Sequence, residues 1–136
     1  MSEETQKTVE TFDFTTIKSF EDACNKVGIN PELLPDVTLL PEEFKKAVIA
    51  GYKLMVIYKA INDGWNPDWS NEDEYKYYPW FWVLPSGFGF SCSCYNCTCT
   101  DTAVGSRLCT DSSDKVMFIA KTFEKEYQEY FLYSQE

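Results

Sequence analysis

Four cysteines lie within eight residues in the second half of the chain, in the segment Cys92-Ser-Cys94-Tyr-Asn-Cys97-Thr-Cys99. Their spacing is symmetric about Tyr95 and Asn96. If these two residues form a hairpin turn, each cysteine faces another across the ribbon, and all four sulfur atoms project from one face. Such a group could bind a metal ion or form two disulfides. Alternatively, the cysteines could lie in a ribbon tip of variable sequence and have no chemical role.

Zinc is the metal that this thiol group suggests. A structural zinc site takes four thiolates at about 2.3 Å from the metal, and a cluster on one face of a hairpin approaches that arrangement. Zinc motifs usually draw their cysteines from two separate loops, whereas here one ribbon supplies all of them. We therefore expect no cofactor, with zinc as the alternative, and the candidate ligands are Cys92, Cys94, Cys97 and Cys99.

A second group of residues could bind an anionic small molecule. Arg107 could pair with the anion while an aromatic ring stacks on a base. The candidate binding residues are Trp65, Trp69, Tyr78, Trp80, Trp82 and Arg107. The more common arrangement for such an arginine is an ion pair, here with a carboxylate of the acidic loop at residues 68–74.

Catalytic signatures are absent from the sequence. The chain contains no histidine, which is the commonest general base and the commonest metal ligand near neutral pH. It also lacks the G-x-S-x-G, phosphate-loop and H-E-x-x-H patterns. We therefore expect no enzymatic activity and assign no catalytic residue.

The charge of the chain restricts its partners. Twelve basic and 22 acidic residues give a net charge of −10, which disfavours binding to nucleic acid and to anionic membranes. No apolar run approaches the roughly 20 residues that span a bilayer. The first residues are polar and acidic, unlike a signal peptide, so we expect no secretion by that route. In a reducing cytoplasm, six cysteines indicate thiols or metal ligands rather than disulfides.

The length of 136 residues and the aromatic content of 17% predict one packed domain. We expect a disordered acidic tail at residues 1–11 and a single α+β domain at residues 12–136. A first helix is predicted from Ser19 to Val27, with Cys24 in the core. A second is predicted from Pro41 to Asp63, with Gly51 in close contact with another element. Its predicted core stripe consists of Phe44, Val48, Gly51, Met55, Tyr58 and Asn62, flanked by Ala47, Leu54 and Ile61.

A small antiparallel sheet is predicted between the second helix and a final one. Tyr75 to Leu84 is rich in aromatic residues and predicts a strand, with an edge position or a bulge at Pro79. The segment from Phe88 leads into a cysteine-rich ribbon tip, and Ala103 to Thr110 predicts a third strand. Ser112 or Ser113 caps the final helix. Its predicted apolar stripe consists of Val116, Ile119, Ala120, Phe123, Tyr127, Tyr130 and Phe131, which recur at steps of three and four residues. The predicted fold is therefore α+β, with about three strands packed by two long helices and one short helix.

The aromatic strand predicts an interface. If helices cover one face of the sheet, alternate residues on the other face lack cover: either the set that contains Tyr77 and Phe81, or the set that contains Tyr78, Trp80, Trp82 and Leu84. Monomers rarely expose large apolar patches, so such a face favours a protein partner or self-association. The alternative is a sheet with helices on both faces.

Four motifs resemble those of one family: Gly64-Trp-Asn-Pro-Asp-Trp69, Glu74-Tyr-Lys-Tyr-Tyr-Pro-Trp-Phe81, Ser86-Gly-Phe-Gly-Phe-Ser91 and Val104-Gly-Ser-Arg-Leu108. Together they are similar to small uncharacterised proteins of tailed phages and prophages of gut Bacteroidales, over about Ile17 to Phe131. The resemblance implies that a phage or prophage genome encodes the chain, and it implies no mechanism. Relatives carry tyrosine, aspartate and tryptophan in place of the cysteine segment, which implies that the thiols are peculiar to this chain. They also carry phenylalanine and lysine in place of Thr110 and Asp111.

These observations lead to two hypotheses. The first is a phage-encoded, non-enzymatic interaction protein, oligomeric, and either part of the virion or bound to a host protein in the host cytoplasm. The second is a binding protein for an anionic, nucleotide-like molecule or for zinc, which would use Arg107 and the aromatic residues or the cysteine segment.

Overall fold

The structure, a computed structural model, describes residues 11–85, 87–100 and 104–132. The predicted tail, apart from Thr11, lies outside these residues. The described elements are a 3₁₀ turn (Phe14–Thr16), α1 (Phe20–Val27), α2 (Glu42–Asn62), β1 (Lys76–Leu84), β2 (Gly87–Asn96), α3 (Ser113–Thr122) and α4 (Glu124–Phe131). The predicted α+β class is confirmed, with a sheet of two strands instead of about three.

The first helix, α1, has the ends that its sequence predicts. The hydroxyl group of Ser19 accepts a hydrogen bond of 3.1 Å from the backbone N–H of Asp22 and so caps the helix. Gly28 ends it in the left-handed conformation, with φ of 79°, which glycine adopts without strain. Cys24 is fully buried in the core, as predicted.

The long helix α2 is nearly the predicted one, although Pro41 lies at the N-cap position and not inside the helix. Its buried face includes Leu54, Ile57 and Ile61. Gly51 is also buried, and it lies against the ring of Tyr130 in α4, which confirms the predicted close contact.

The stripe of α2 that we predicted as core is wrong in its first half. Phe44, Val48 and Met55 are all more than 40% exposed. The helices α1 and α4 pack against α2 on the face that carries Leu54 and Ile57, and the stripe residues Gly51, Tyr58 and Asn62 are buried with this face, as predicted. The first half of α2 therefore presents apolar side chains to solvent.

The predicted final helix is divided in two at Phe123. Ser112 caps α3 by accepting a hydrogen bond from the N–H of Lys115. The backbone of Phe123, with φ of −115° and ψ of 32°, departs from helical geometry, and α4 starts at the next residue. The predicted apolar stripe is confirmed, since Val116, Ile119, Phe123 and Tyr127 are buried.

The sheet is an antiparallel hairpin of β1 and β2. The third predicted strand, Ala103 to Thr110, is wrong over its described residues, because residues 104–107 form a turn with Gly105 at a φ of 61°. Ala103 lies outside the described residues. Only Thr110 pairs with the sheet, through two backbone hydrogen bonds of 2.8 and 2.9 Å to Tyr77.

Pro79 is accommodated by its position in β1. The backbone groups of Tyr77 bond to Thr110 and therefore point away from β2. Pro79 lies two residues further along the strand, so its missing N–H faces the same outer edge and breaks no bond of the hairpin. The predicted irregularity follows at once: Trp80 pairs with Cys92 while Phe81 pairs with Phe90, which leaves an extra residue in β2.

The core joins the helices to the hairpin. The buried hydroxyl groups of Tyr58 in α2 and Tyr127 in α4 share a hydrogen bond. The ring of Tyr127 also packs against Phe81 of β1, with ring centres 4.6 Å apart. In the part of the chain that the structure describes, every helix is too short or too polar to cross a membrane.

Candidate functional site

The cysteine segment does not form the predicted hairpin turn. The strand β2 continues through Tyr95 and Asn96, which pair with Tyr77 and Lys76 of β1. The hairpin instead closes between the paired residues Leu84 and Gly87. The predicted turn is therefore wrong, and the physical reason is that β1 already provides a partner for the whole length of β2.

Only two of the four cysteines come together. Cys92 and Cys94 lie on one face of β2, with their sulfur atoms 3.8 Å apart, and Cys97 and Cys99 follow the end of the strand. All six cysteines are thiols, not disulfides. Within the described ranges, no three cysteine, aspartate or glutamate side chains form a group that could hold a metal ion. The fold thus gives the zinc prediction no assembled site.

The buried environment of Lys76 was not predicted from the sequence. It is fully buried, and its ammonium group donates to the backbone carbonyls of Asn71, at 3.1 Å, and of Cys97. The carboxylate of Glu74 lies 3.4 Å away, and the ring centre of Trp69 lies 5.1 Å away. One buried cation therefore joins the acidic loop to the chain that follows β2.

Trp69 and Tyr78 both contact other side chains of the protein. Trp69 packs over the Lys76 ammonium group, a cation–π contact. Tyr78 is only 6% exposed, and its hydroxyl group accepts a hydrogen bond of 2.9 Å from the Asn96 side chain. Both side chains therefore have contacts within the protein, and neither lines the cleft described below.

Trp80 and Trp82 differ from the rest of the aromatic strand. They are 51% and 57% exposed, although they flank Phe81, which packs against Tyr127 of α4. Because residues two apart in a strand share a face, the two indole rings project from the same side of the hairpin. Neither predicted set is uncovered throughout, since Tyr78, in the set of these two tryptophans, is 6% exposed and Val83, in the other set, is 59% exposed. The side chain of Leu84 lies outside the described residues.

Trp65 and Arg107 lie at one open cleft of about 560 Å³. Its walls come from the end of α1, the last turns of α2, residues 63–67 and the turn at residues 106–107. The ion pair expected between Arg107 and the acidic loop is not formed among the described residues, and the Glu74 carboxylate of that loop pairs with Lys76. Arg107 is exposed, with no ion pair to any described residue.

The charged groups of the cleft are three cations and one carboxylate. Lys26 pairs with Asp63 at 2.6 Å. Lys59 and Arg107 also line the cleft, and Lys59 likewise has no ion pair within the described part of the chain. The cleft is therefore locally positive in a chain whose net charge is −10.

Asn62 is a buried polar residue of the cleft wall. Its amide nitrogen donates a hydrogen bond of 3.0 Å to the carbonyl oxygen of Cys109, which sets the orientation of the amide. Its Oδ1 atom has no hydrogen-bond partner among the described groups. The predicted core stripe of α2 includes Asn62, but its hydrogen bond to the chain around Cys109 could not be predicted from the sequence.

The two buried thiols are poor nucleophiles. Burial raises the pKa of Cys109 to about 11, and burial also raises the pKa of Cys24. Since the thiolate is the reactive form, both side chains act as small core residues.

Comparisons with known proteins add no relative. The chain matches no protein-family model, no curated protein and no solved structure.

Proposed function

We propose that this chain is a non-enzymatic interaction protein of phage or prophage origin, virion-associated or directed at a host protein. It binds its partner through Trp80 and Trp82, here called the tryptophan surface. The exposure of these two adjacent rings on one side of the hairpin is the observation that supports the proposal. Tryptophan is among the residues that contribute most to protein–protein binding, because one ring buries a large area in a partner's pocket.

The hairpin below the tryptophan surface is held rigidly. Phe81 stacks on Phe88 with ring centres 4.8 Å apart and also contacts Tyr127 of α4. Because these contacts already restrict the strand, it loses less conformational entropy when it binds a partner. The tryptophan surface is thus carried by a strand that is already ordered before it meets a partner.

Charge determines the kind of partner. A net charge of −10 favours a protein whose contact surface has an apolar centre and a basic rim, since complementary charge speeds association. A second copy of the chain is the alternative partner. The exposed stripe of Phe44, Val48 and Met55 on α2 favours self-association, because burying it would remove apolar area from water.

The test uses three variants of the full chain. Trp80→Ser/Trp82→Ser removes the tryptophan surface, Phe44→Ser/Val48→Ser removes part of the α2 stripe, and Leu39→Ser is the control at a fully exposed apolar residue. A photo-crosslinking residue at position 82 identifies the partner, and calorimetry with the purified partner then measures affinity. We expect the tryptophan variant to bind about tenfold or more weakly, and the control to bind like the wild type.

Sedimentation velocity of the same variants distinguishes the two partners. A wild-type dimer that only the α2 variant dissociates would identify a second copy as the partner and the α2 stripe as its interface. Equal affinity of the tryptophan variant and the wild type for the crosslinked partner would contradict the proposed role of the tryptophan surface.

A further inference from the structure

The cleft beside Trp65 has the size of a ligand site. Its volume of about 560 Å³ lies within the range of roughly 300–1,000 Å³ that small-molecule sites occupy. It also lies apart in sequence from the tryptophan surface, since none of its lining residues belongs to β1 or β2. A ligand of this cleft would therefore contact different residues from those of the tryptophan surface.

Arg107 is the cation of the cleft without a structural partner. Lys26 is paired with Asp63, and Lys59 lies in the last turn of α2, where a cation complements the helix dipole. In the described part of the chain, Arg107 has neither an ion pair nor a place at the end of a helix. Its exposed side chain makes no hydrogen bond or ion pair with the described residues that would stabilise the turn that carries it. Its planar guanidinium group is suited to two parallel hydrogen bonds with a phosphate or carboxylate.

An aromatic wall accompanies this positive charge. Trp65 is partly buried, and its backbone N–H donates a hydrogen bond of 3.0 Å to the carbonyl oxygen of Asn62, which holds the start of the loop against the end of α2. Tyr52 and Met55 line the same cleft. An anion that also carries a planar ring can use both the charge and this apolar wall, whereas a bare anion can use the charge alone.

The side-chain oxygen of Asn62 has no hydrogen-bond partner among the described groups, which favours a bound group in this cleft. A buried acceptor without a donor costs about 1–3 kcal/mol, so such groups usually have a partner in the functional state. Asn62 lines the cleft and its Oδ1 atom is closed off from solvent, so the wall would have to move before a ligand N–H or O–H, or a water molecule, could reach that atom.

We propose that this cleft binds a small phosphorylated molecule with a planar ring, of the size of a nucleoside monophosphate. Arg107 and Lys59 hold the phosphate group, and Trp65 packs against the ring. Asn62 accepts a hydrogen bond from the ring or the sugar.

Calorimetry with the four common nucleoside 5′-monophosphates tests the proposal, with inorganic phosphate and the matching nucleosides as separate probes. We expect at least one nucleotide to bind about tenfold or more tightly than either of its parts. Arg107→Gln and Trp65→Leu should each weaken that binding about 10- to 100-fold, because each removes a charged hydrogen bond or a ring contact. Lys46→Gln, on the exposed side of α2, is the control and should bind like the wild type.

Three results would overturn the proposal. The first is that none of the nucleotides binds at about 1 mM. The second is that phosphate binds as tightly as the best nucleotide, which would indicate an adventitious anion site. The third is that Arg107→Gln and Trp65→Leu both bind as the wild type does. Circular dichroism and thermal unfolding confirm that these variants, both at surface positions, remain folded, so weaker binding is not mistaken for unfolding.

Discussion

Gly51 of α2 lies so close to the ring of Tyr130 in α4 that a methyl group on Gly51 would be 3.0 Å from the nearest ring carbon. Glycine inside a helix costs about 1 kcal/mol relative to alanine. The close approach of the two helices explains why the position lacks a side chain. It also sets the distance between α2 and the helix that carries Tyr127.

We expect Gly51→Val to lower the free energy of unfolding by about 1–3 kcal/mol, because two methyl groups would overlap the Tyr130 ring. Urea unfolding measures the change. Lys46→Val is the matched control on the exposed side of α2 and should change stability by only a few tenths of a kcal/mol. In Gly51→Val/Tyr130→Ala the loss should be smaller than the sum of the two single losses. Strictly additive losses would show that the ring is not the obstacle.

The Lys76 ammonium group holds two otherwise separate segments together, so Lys76→Met should destabilise the protein. The substitution leaves the carbonyl oxygens of Asn71 and Cys97 without their donor, at a cost of about 1–3 kcal/mol for each buried group. The fluorescence of Trp69 should also change, since its ring loses the cation. Lys46→Met is the control and should match the wild type in both measurements. An unaltered urea midpoint for Lys76→Met would contradict the buried contacts.

The cysteine segment should be replaceable as a whole. We expect a variant with serine at positions 92, 94, 97 and 99 to unfold within about 1 kcal/mol of the wild type, because none of these side chains is in the buried core. Cys109→Ser, a single change in the core, should cost about 1–3 kcal/mol by burying a hydroxyl group. A large stability loss in the fourfold variant, or stoichiometric zinc in the wild type alone, would restore the metal-site prediction.

Local signals in the sequence were sufficient for the helices. Ser19, Gly28 and Ser112 have the structural roles that their sequence positions predict, because capping depends on residues within one turn. The buried face of α2 could not be predicted in the same way. Phe44 and Val48 repeat with the same period as Leu54, and only the placement of α1 and α4 decides which of them is covered.

The hairpin and the candidate sites depend on contacts distant in sequence. The symmetric spacing of the cysteines predicted a turn at Tyr95-Asn96, but β1 pairs with β2 as far as Asn96, so these two residues lie in the strand. Trp65 and Arg107 were both selected as candidates from the sequence, but their meeting at one cleft depends on the turn at Gly105 that replaces the third predicted strand. Lys76 is buried only because carbonyl groups from two other segments surround it.

The stability of the protein should fall in alkaline solution, because burial raises the pKa of three core side chains. Cys109 has a pKa of about 11, against 9.0 for an ordinary cysteine. Burial also raises the pKa values of Tyr58 and Tyr127 above the ordinary 10.0. Between pH 9 and 11 the unfolded chain releases the Cys109 proton while the folded chain keeps it. The unfolded state therefore gains stability, by up to about 1.4 kcal/mol per pH unit for each such group.

Urea unfolding in the presence of reductant, from pH 7 to 10.5, measures this effect. The free energy of unfolding should be level up to the ordinary cysteine pKa and decrease above it. Cys109→Ala should decrease less steeply, since it cannot release that proton, whereas Cys99→Ala, at an exposed position, should follow the wild type. Equal slopes for Cys109→Ala and the wild type would show that Cys109 titrates alike in both states, and thus that it is not shielded from solvent in the folded protein.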